Sequence, residues 1–187
     1  TRATMDSQIN AGNVNQLGLA WTFKLQGASK WGSAAGGPLI ANNIVYFQDL
    51  QSNIYAFDLA TGGVIWQKIY GRSAFGPNGP GIGWGKLFLQ DGIDKVIALD
   101  LNSGDELWVS AVQGSTGANQ PLAYGGYVYT GLADGAYSQN PKRPMQLNKV
   151  GTSGYALGLD QSNGTLIWKF QTVKDGFWGH PEINSGA

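Results

Sequence analysis

Ile54-Tyr55-Ala56-Phe57-Asp58-Leu59-Ala60-Thr61-Gly62-Gly63-Val64-Ile65-Trp66 decides the fold, because its pattern returns twice. The second copy is Val96-Ile97-Ala98-Leu99-Asp100-Leu101-Asn102-Ser103-Gly104-Asp105-Glu106-Leu107-Trp108. The third is Ala156-Leu157-Gly158-Leu159-Asp160-Gln161-Ser162-Asn163-Gly164-Thr165-Leu166-Ile167-Trp168. In every copy a Gly stands four residues after the Asp and a Trp eight after it. Each part of the unit has a physical role. An apolar strand ends at the Asp, whose side chain can bond the backbone amides of the following turn. The Gly supplies the positive φ that closes a hairpin. A second strand then carries the Trp, which is large enough to wedge between neighbouring sheets.

Another short strand lies upstream of each copy: Ile44-Val45-Tyr46-Phe47, Lys86-Leu87-Phe88-Leu89 and Tyr127-Val128-Tyr129-Thr130. Each follows a turn signal, Asn42-Asn43, Gly83-Trp84-Gly85 or Gly125-Gly126. About four short strands per repeat match one blade of a β-propeller. Trp66 and Trp108 are 42 residues apart, a normal blade period, whereas Trp108 and Trp168 are 60 apart. The third blade therefore carries an insertion, placed at Ser138-Gln139-Asn140-Pro141-Lys142-Arg143-Pro144-Met145-Gln146-Leu147-Asn148-Lys149. It is a loop, either a solvated excursion or a lid or partner contact. Leu19-Ala20-Trp21-Thr22-Phe23 has the look of a Trp-bearing outer strand, 45 residues before Trp66. The expectation is an all-β chain with a single partial domain over 1–187. It forms about three four-stranded antiparallel blades of an incomplete ring of eight. The Trp21 strand belongs to the closing blade, and 169–187 start the next one.

Composition agrees. Charged residues make up 13% of the 187, against ~25% in ordinary soluble domains. Gly, at 29 residues, is about twice its usual share. The formal net charge is zero, so no long-range field steers the chain toward nucleic acid or anionic lipid. No apolar run reaches the ~18–20 residues of a membrane span. There is no Cys, which excludes disulfides and thiolate metal sites, and His180 is the only His. A His-cluster metal site is thereby excluded and a Ser-His-Asp mechanism disfavoured.

The unit Ala/Gly-x-Asp-x-x-(Thr/Ser/Asn)-Gly-x-x-x-Trp resembles the tryptophan-docking motif of the pyrroloquinoline-quinone (PQQ) dependent quinoprotein dehydrogenases. The resemblance covers nearly the whole chain. Ile9-Asn10, Asn13-Val14 and Leu17-Gly18-Leu19-Ala20-Trp21 look like the start of mature members. Gly76-Pro77-Asn78-Gly79, Gly83-Trp84-Gly85-Lys86-Leu87-Phe88 and Trp178-Gly179-His180-Pro181-Glu182-Ile183-Asn184-Ser185-Gly186 are similar to the polyvinyl-alcohol-dehydrogenase-like branch. The resemblance implies an eight-bladed ring that holds PQQ near its axis with Ca²⁺ or a lanthanide. It implies alcohol oxidation, with electrons leaving through PQQ to a cytochrome or other acceptor, and a periplasmic or secreted bacterial location. Position by position the pattern departs from the family. Ala35 stands where a PQQ-contacting Glu is usual, Asn78 where an Arg is, and Ala118 where a Thr is. The vicinal Cys pair is absent. Asp134-Gly135-Ala136-Tyr137 keeps the Gly-Ala of a metal-ligand motif but has Tyr137 in place of its Glu. The positions left to the cofactor are Asn78, Asn119, Asp134 and Trp178, with no catalytic residue and no metal ligand assigned. The family's catalytic Asp and Trp floor would lie beyond residue 187.

Asp58, Asp100 and Asp160 are repeat-equivalent, so they read as turn formers rather than a catalytic set. Trp21, Trp66, Trp108 and Trp168 read as blade packing. Trp31, Trp84 and Trp178 fall outside the repeat and are the better candidates for stacking on a ligand. Glu182, Asn184 and Asp175 offer oxygen ligands at a spacing that is not diagnostic. Three functions stay open: a PQQ-dependent alcohol dehydrogenase, inactive as this piece alone; a non-catalytic propeller scaffold; and carbohydrate or polymer binding through rim aromatics. The ring needs the remainder of the chain or a complementing chain as its partner.

Overall fold

The computed structural model describes residues 7–74, 76–112, 119–133 and 154–172. Twelve strands form three four-stranded antiparallel sheets among these residues, each wound in sequence order from inner to outer strand. The first sheet comprises β1 (Leu39–Ala41), β2 (Ile44–Gln48), β3 (Ile54–Asp58) and β4 (Val64–Lys68). The second comprises β5 (Gly81–Gly83), β6 (Lys86–Gln90), β7 (Lys95–Asp100) and β8 (Glu106–Ala111). The third comprises β9 (Leu122–Tyr124), β10 (Tyr127–Ala133), β11 (Gly154–Asp160) and β12 (Leu166–Gln171). The strands anticipated in the three repeats form, whereas the outer strand anticipated at residues 19–23 does not, and β10 runs three residues past the anticipated Thr130, paired with β11 as far as Gly154.

The two middle strands of the first and second blades are buried on both faces, which explains their apolar runs. Strand β7 shows this best. Ile97 and Leu99 face the first blade, with Tyr46, Ile54, Ala56, Leu87 and Leu89. Val96 and Ala98 face the third, with Phe88, Trp108, Val128, Leu157 and Leu159. The first blade's other face packs Val45, Tyr55 and Phe57 under Trp21, Phe23 and Leu25. The core is therefore a set of parallel seams between blades.

A contact repeated along these seams fixes the blades to one another. Trp21 donates from Nε1 to the Leu59 carbonyl at 2.9 Å, Trp66 to that of Leu101 at 3.3 Å, and Trp108 to that of Gln161 at 3.0 Å. Each acceptor is the residue after the repeat Asp of the following turn. Each indole also lies on the Gly of that turn. A Cβ on Gly62, Gly104 or Gly164 would come within 2.5–2.6 Å of Trp21, Trp66 or Trp108 respectively. The Gly is thus required twice, by its positive φ (70°, 74° and 75°) and by the ring above it. Trp21 makes this contact although residues 17–25 form no strand. Trp168 has no such partner among the described residues. It is 39% exposed and turns inward over Gly158, where the other blades carry Ala56 and Ala98.

The repeat aspartates form their turns as expected. Asp58 Oδ1 accepts from the amides of Ala60 and Thr61 and from the Thr61 hydroxyl. Asp100 Oδ1 accepts from Asn102 and Ser103, and Asp160 Oδ1 from the amide and hydroxyl of Ser162. Hydrogen bonds, led by Thr61, Ser103 and Ser162, hold all three carboxyls below the ordinary carboxylate value.

Candidate functional site

The end of the blades opposite the Asp turns collects the buried polar groups. It is built from the β2–β3 and β6–β7 turns and the connectors leading into β5 and β9. Asp49, which follows β2, is fully buried. Its Oδ1 accepts from the amides of Gln51 (2.8 Å) and Asn53 (2.9 Å), and its Oδ2 from Asn53 Nδ2 (2.9 Å) and the Tyr55 hydroxyl (3.0 Å). Burial, with the Asp49 carboxylate beside it, pushes the Tyr55 phenol up. Asp91 is its counterpart after β6, also fully buried. Its Oδ1 accepts from the amides of Ile93, Asp94 and Lys95, and its Oδ2 pairs with Arg72 of the β4–β5 connector. These carboxylates hold the turns and tie one connector to the next blade.

Side-chain amides bind the blades together at the same end. Gln48 Nε2 donates to the Gln90 carbonyl at 2.7 Å. Gln90 Nε2 donates to Thr130 Oγ1 at 2.7 Å and to the Gly131 carbonyl at 2.9 Å. Sequence reasoning missed Gln48, Asp49, Gln90 and Asp91. A signal was there: the Gln-Asp pair recurs at the 42-residue spacing of the Trp repeat.

Two of the four anticipated cofactor positions are described, and they occupy the same place in successive blades, two residues before Pro80 and Pro121. Asn78 is buried and donates from Nδ2 to the Asp49 carbonyl at 2.9 Å, while its Oδ1 has no hydrogen-bond partner. Asn119 uses both ends of its amide internally. Nδ2 donates to the Gly131 carbonyl at 2.9 Å, and Oδ1 accepts from Thr130 Oγ1 at 2.7 Å. Asp134 and Trp178 lie outside the described residues, as do the 138–149 insertion, Ala118, Asp175, His180, Glu182 and Asn184. Ala35 packs near Gly76, whose Cβ would fall 2.6 Å from its methyl.

PQQ is an anion rich in acceptor oxygens, so a site for it needs donors and positive charge. The described residues offer the opposite. The unpartnered buried atoms are Gln48 Oε1, Ser52 Oγ and Asn78 Oδ1, two of them acceptors only. The sole described arginine, Arg72, is held by Asp91 and Asp94. No group of three or more His, Cys, Asp or Glu among the described residues is placed to hold a metal ion. These residues do not by themselves fit PQQ and its cation, and no catalytic step follows from them.

A profile of the PQQ_2 family, described as outer membrane protein assembly factor BamB, matches residues 5–177. The chain belongs to this family. Among PQQ_2-type relatives, the quinohemoprotein alcohol dehydrogenase of Comamonas testosteroni is 27% identical over 187 aligned residues, covering 92% of this chain and 24% of that protein. Its crystal structure superposes with a TM-score of 0.71 at 26% identity, over 89% of this chain and 24% of that one. The lanthanide-dependent methanol dehydrogenase of Methylacidiphilum fumariolicum (strain SolV) is 28% identical over 219 aligned residues, covering 96% of this chain and 35% of that protein. The BamB of Yersinia pestis is 29% identical over 98 residues, 52% of this chain and 24% of that protein. The chain spans about a quarter to a third of the length of these relatives. Its three sheets are blades of the PQQ_2 propeller.

Proposed function

We propose that these blades are part of a larger ring that oxidises alcohol groups and passes the electrons through PQQ to an external acceptor. One observation carries this reading: the match to the quinohemoprotein alcohol dehydrogenase runs along nearly the whole chain in both sequence and fold. In this reading residues 1–187 are one partial domain. Trp21 belongs to the segment that closes the ring. Residues 169–171 are the end of the third blade's outer strand, so the next blade begins after them and not at 169. Asn78, Asn119, Asp134 and Trp178 are the positions of this chain assigned to the cofactor. The positive charge, the Ca²⁺ or lanthanide ligands and the base that takes the alcohol proton come from the remaining blades. The protein works in the bacterial periplasm or outside the cell, with a cytochrome as electron acceptor. A second reading is a non-catalytic scaffold. It is favoured by Ala35 and Asn78 in place of Glu and Arg and by the BamB description of the family.

Dye-linked oxidation separates the two. The natural full-length polypeptide, loaded with PQQ and Ca²⁺, is given ethanol and butan-2-ol with a phenazine dye. The dehydrogenase reading expects alcohol-dependent dye reduction that disappears when PQQ is left out. No reduction with either Ca²⁺ or a lanthanide would overturn it in favour of the scaffold.

A further inference from the structure

The blades repeat the same positions, so one seam between blades serves as a reference for the next. In the seam between the first and second blades, Tyr70, four residues after Trp66, packs against the cluster that holds Leu89, Ile97 and Leu99. Its hydroxyl donates to Glu106 Oε2 at 3.3 Å. Burial, with the Glu106 and Asp91 carboxylates beside it, pushes the phenol up. This place is thus filled by an aromatic ring whose polar end has polar neighbours.

The seam between the second and third blades carries other residues at each of these positions. Val112, four residues after Trp108, stands in place of Tyr70, and Ala111 in place of Ile69. Leu166 takes the place of Glu106: each is six residues after its repeat Asp, and they pair with the equivalent Leu159 and Leu99. Leu132 takes the place of Asp91, because Tyr127 and Lys86, five residues before them, pair with Asp160 and Asp100. A ring is exchanged for a short branched side chain, and both carboxylates beside it for Leu. These replacements leave a cavity of about 320 Å³, lined among the described residues by Ala111, Val112, Leu132, Leu157, Leu166 and Lys169. Lys169 holds its ammonium over the Tyr155 ring, 3.8 Å from the centroid. Each blade that bounds this seam has all four strands, so the space lies between two formed sheets.

We propose that this cavity binds an uncharged, single-ring aromatic molecule without a hydroxyl group, its ring taking the place that Tyr70 fills one seam earlier. Its volume is in the range of small-molecule sites, and an apolar cavity of about half this size takes up benzene. Val112, Leu132 and Leu157 are buried apolar side chains against which a ring is removed from water. Leu166, where Glu106 receives the Tyr70 hydroxyl, gives a phenol no acceptor at that point, and an unpaired buried hydroxyl is costly. The site rests on the comparison of the two seams and stands under either function proposed above.

The test uses the natural full-length polypeptide and fluorobenzene, observed by fluorine NMR, with toluene and p-cresol as competitors. The expected result is saturable broadening of the fluorobenzene signal, reversed by toluene about fivefold more effectively than by p-cresol. Val112→Phe places a ring of the protein's own in the cavity and should weaken fluorobenzene binding about tenfold or more. Ala111→Ile, which puts the first blade's residue at the cavity edge, should weaken it as well. Where the urea midpoint shows that one variant is unfolded, the other variant and the parent's competitor order decide. No saturable broadening by the parent, equal displacement by toluene and p-cresol, or undiminished binding in a folded variant would each overturn the inference.

Discussion

Replacing Gly104 by Ala separates the two demands placed on that residue. At φ +74° any L-residue pays a backbone penalty of roughly 1–2 kcal/mol. The new Cβ would also sit 2.6 Å from Trp66 Cε3 and 2.7 Å from Cδ2, so the indole must shift. That displacement weakens its bond to the Leu101 carbonyl and disturbs the seam formed with Leu87, Leu99 and Leu101. Overpacking of this kind costs about 1–3 kcal/mol, for a total of about 2–5 kcal/mol. Gly85 provides the control. Its φ is +70°, and a Cβ there would meet nothing within 4 Å. Gly85→Ala should therefore cost only the backbone share, about 1–2 kcal/mol. Equilibrium urea unfolding of the natural full-length polypeptide followed by Trp fluorescence measures both. Gly104→Ala is expected to lose about 1–3 kcal/mol more than Gly85→Ala. Equal losses would refute the claim that the Trp of one blade rests on the Gly of the next.

Further expectations concern the polar groups. Asp58, Asp100 and Asp160 have folded values below their ordinary 3.8, so their stabilising contribution is present above that value and is lost as pH falls through the folded values. The urea midpoint should drop at acid pH, and the triple replacement by Asn should flatten that drop. Asn119→Leu leaves the Thr130 hydroxyl and the Gly131 carbonyl without Asn119 as a partner, and should lower stability by about 2–3 kcal/mol in the same urea assay. Trp21→Ala removes the ring over Gly62 and its bond to Leu59, and should cost about 3–5 kcal/mol, measured by thermal or urea unfolding.

The hairpins, the turn aspartates and the positive-φ glycines were legible because each is set by a few neighbouring residues, and the repeat states each three times. The direction in which each Trp points was not legible. An indole eight residues after Asp58 docks on Gly104, not on its own Gly62, and only the packing of successive sheets decides that. The polar network was hidden for a related reason. Gln48 and Gln90 end strands whose central residues are apolar, and their partners include backbone carbonyls of the next blade, which carry no sequence label. At the candidate site, the resemblance marked Asn78 and Asn119 as equals. The structure separates them, because Asn119 has both amide ends engaged while Asn78 keeps a free Oδ1. That difference arises from which connector each residue faces, a long-range property.

Titrating PQQ into the natural full-length polypeptide with Ca²⁺ present, read by quenching of Trp fluorescence, tests the functional account most directly. The account predicts saturable quenching at micromolar PQQ or below. No quenching with either Ca²⁺ or a lanthanide would contradict it.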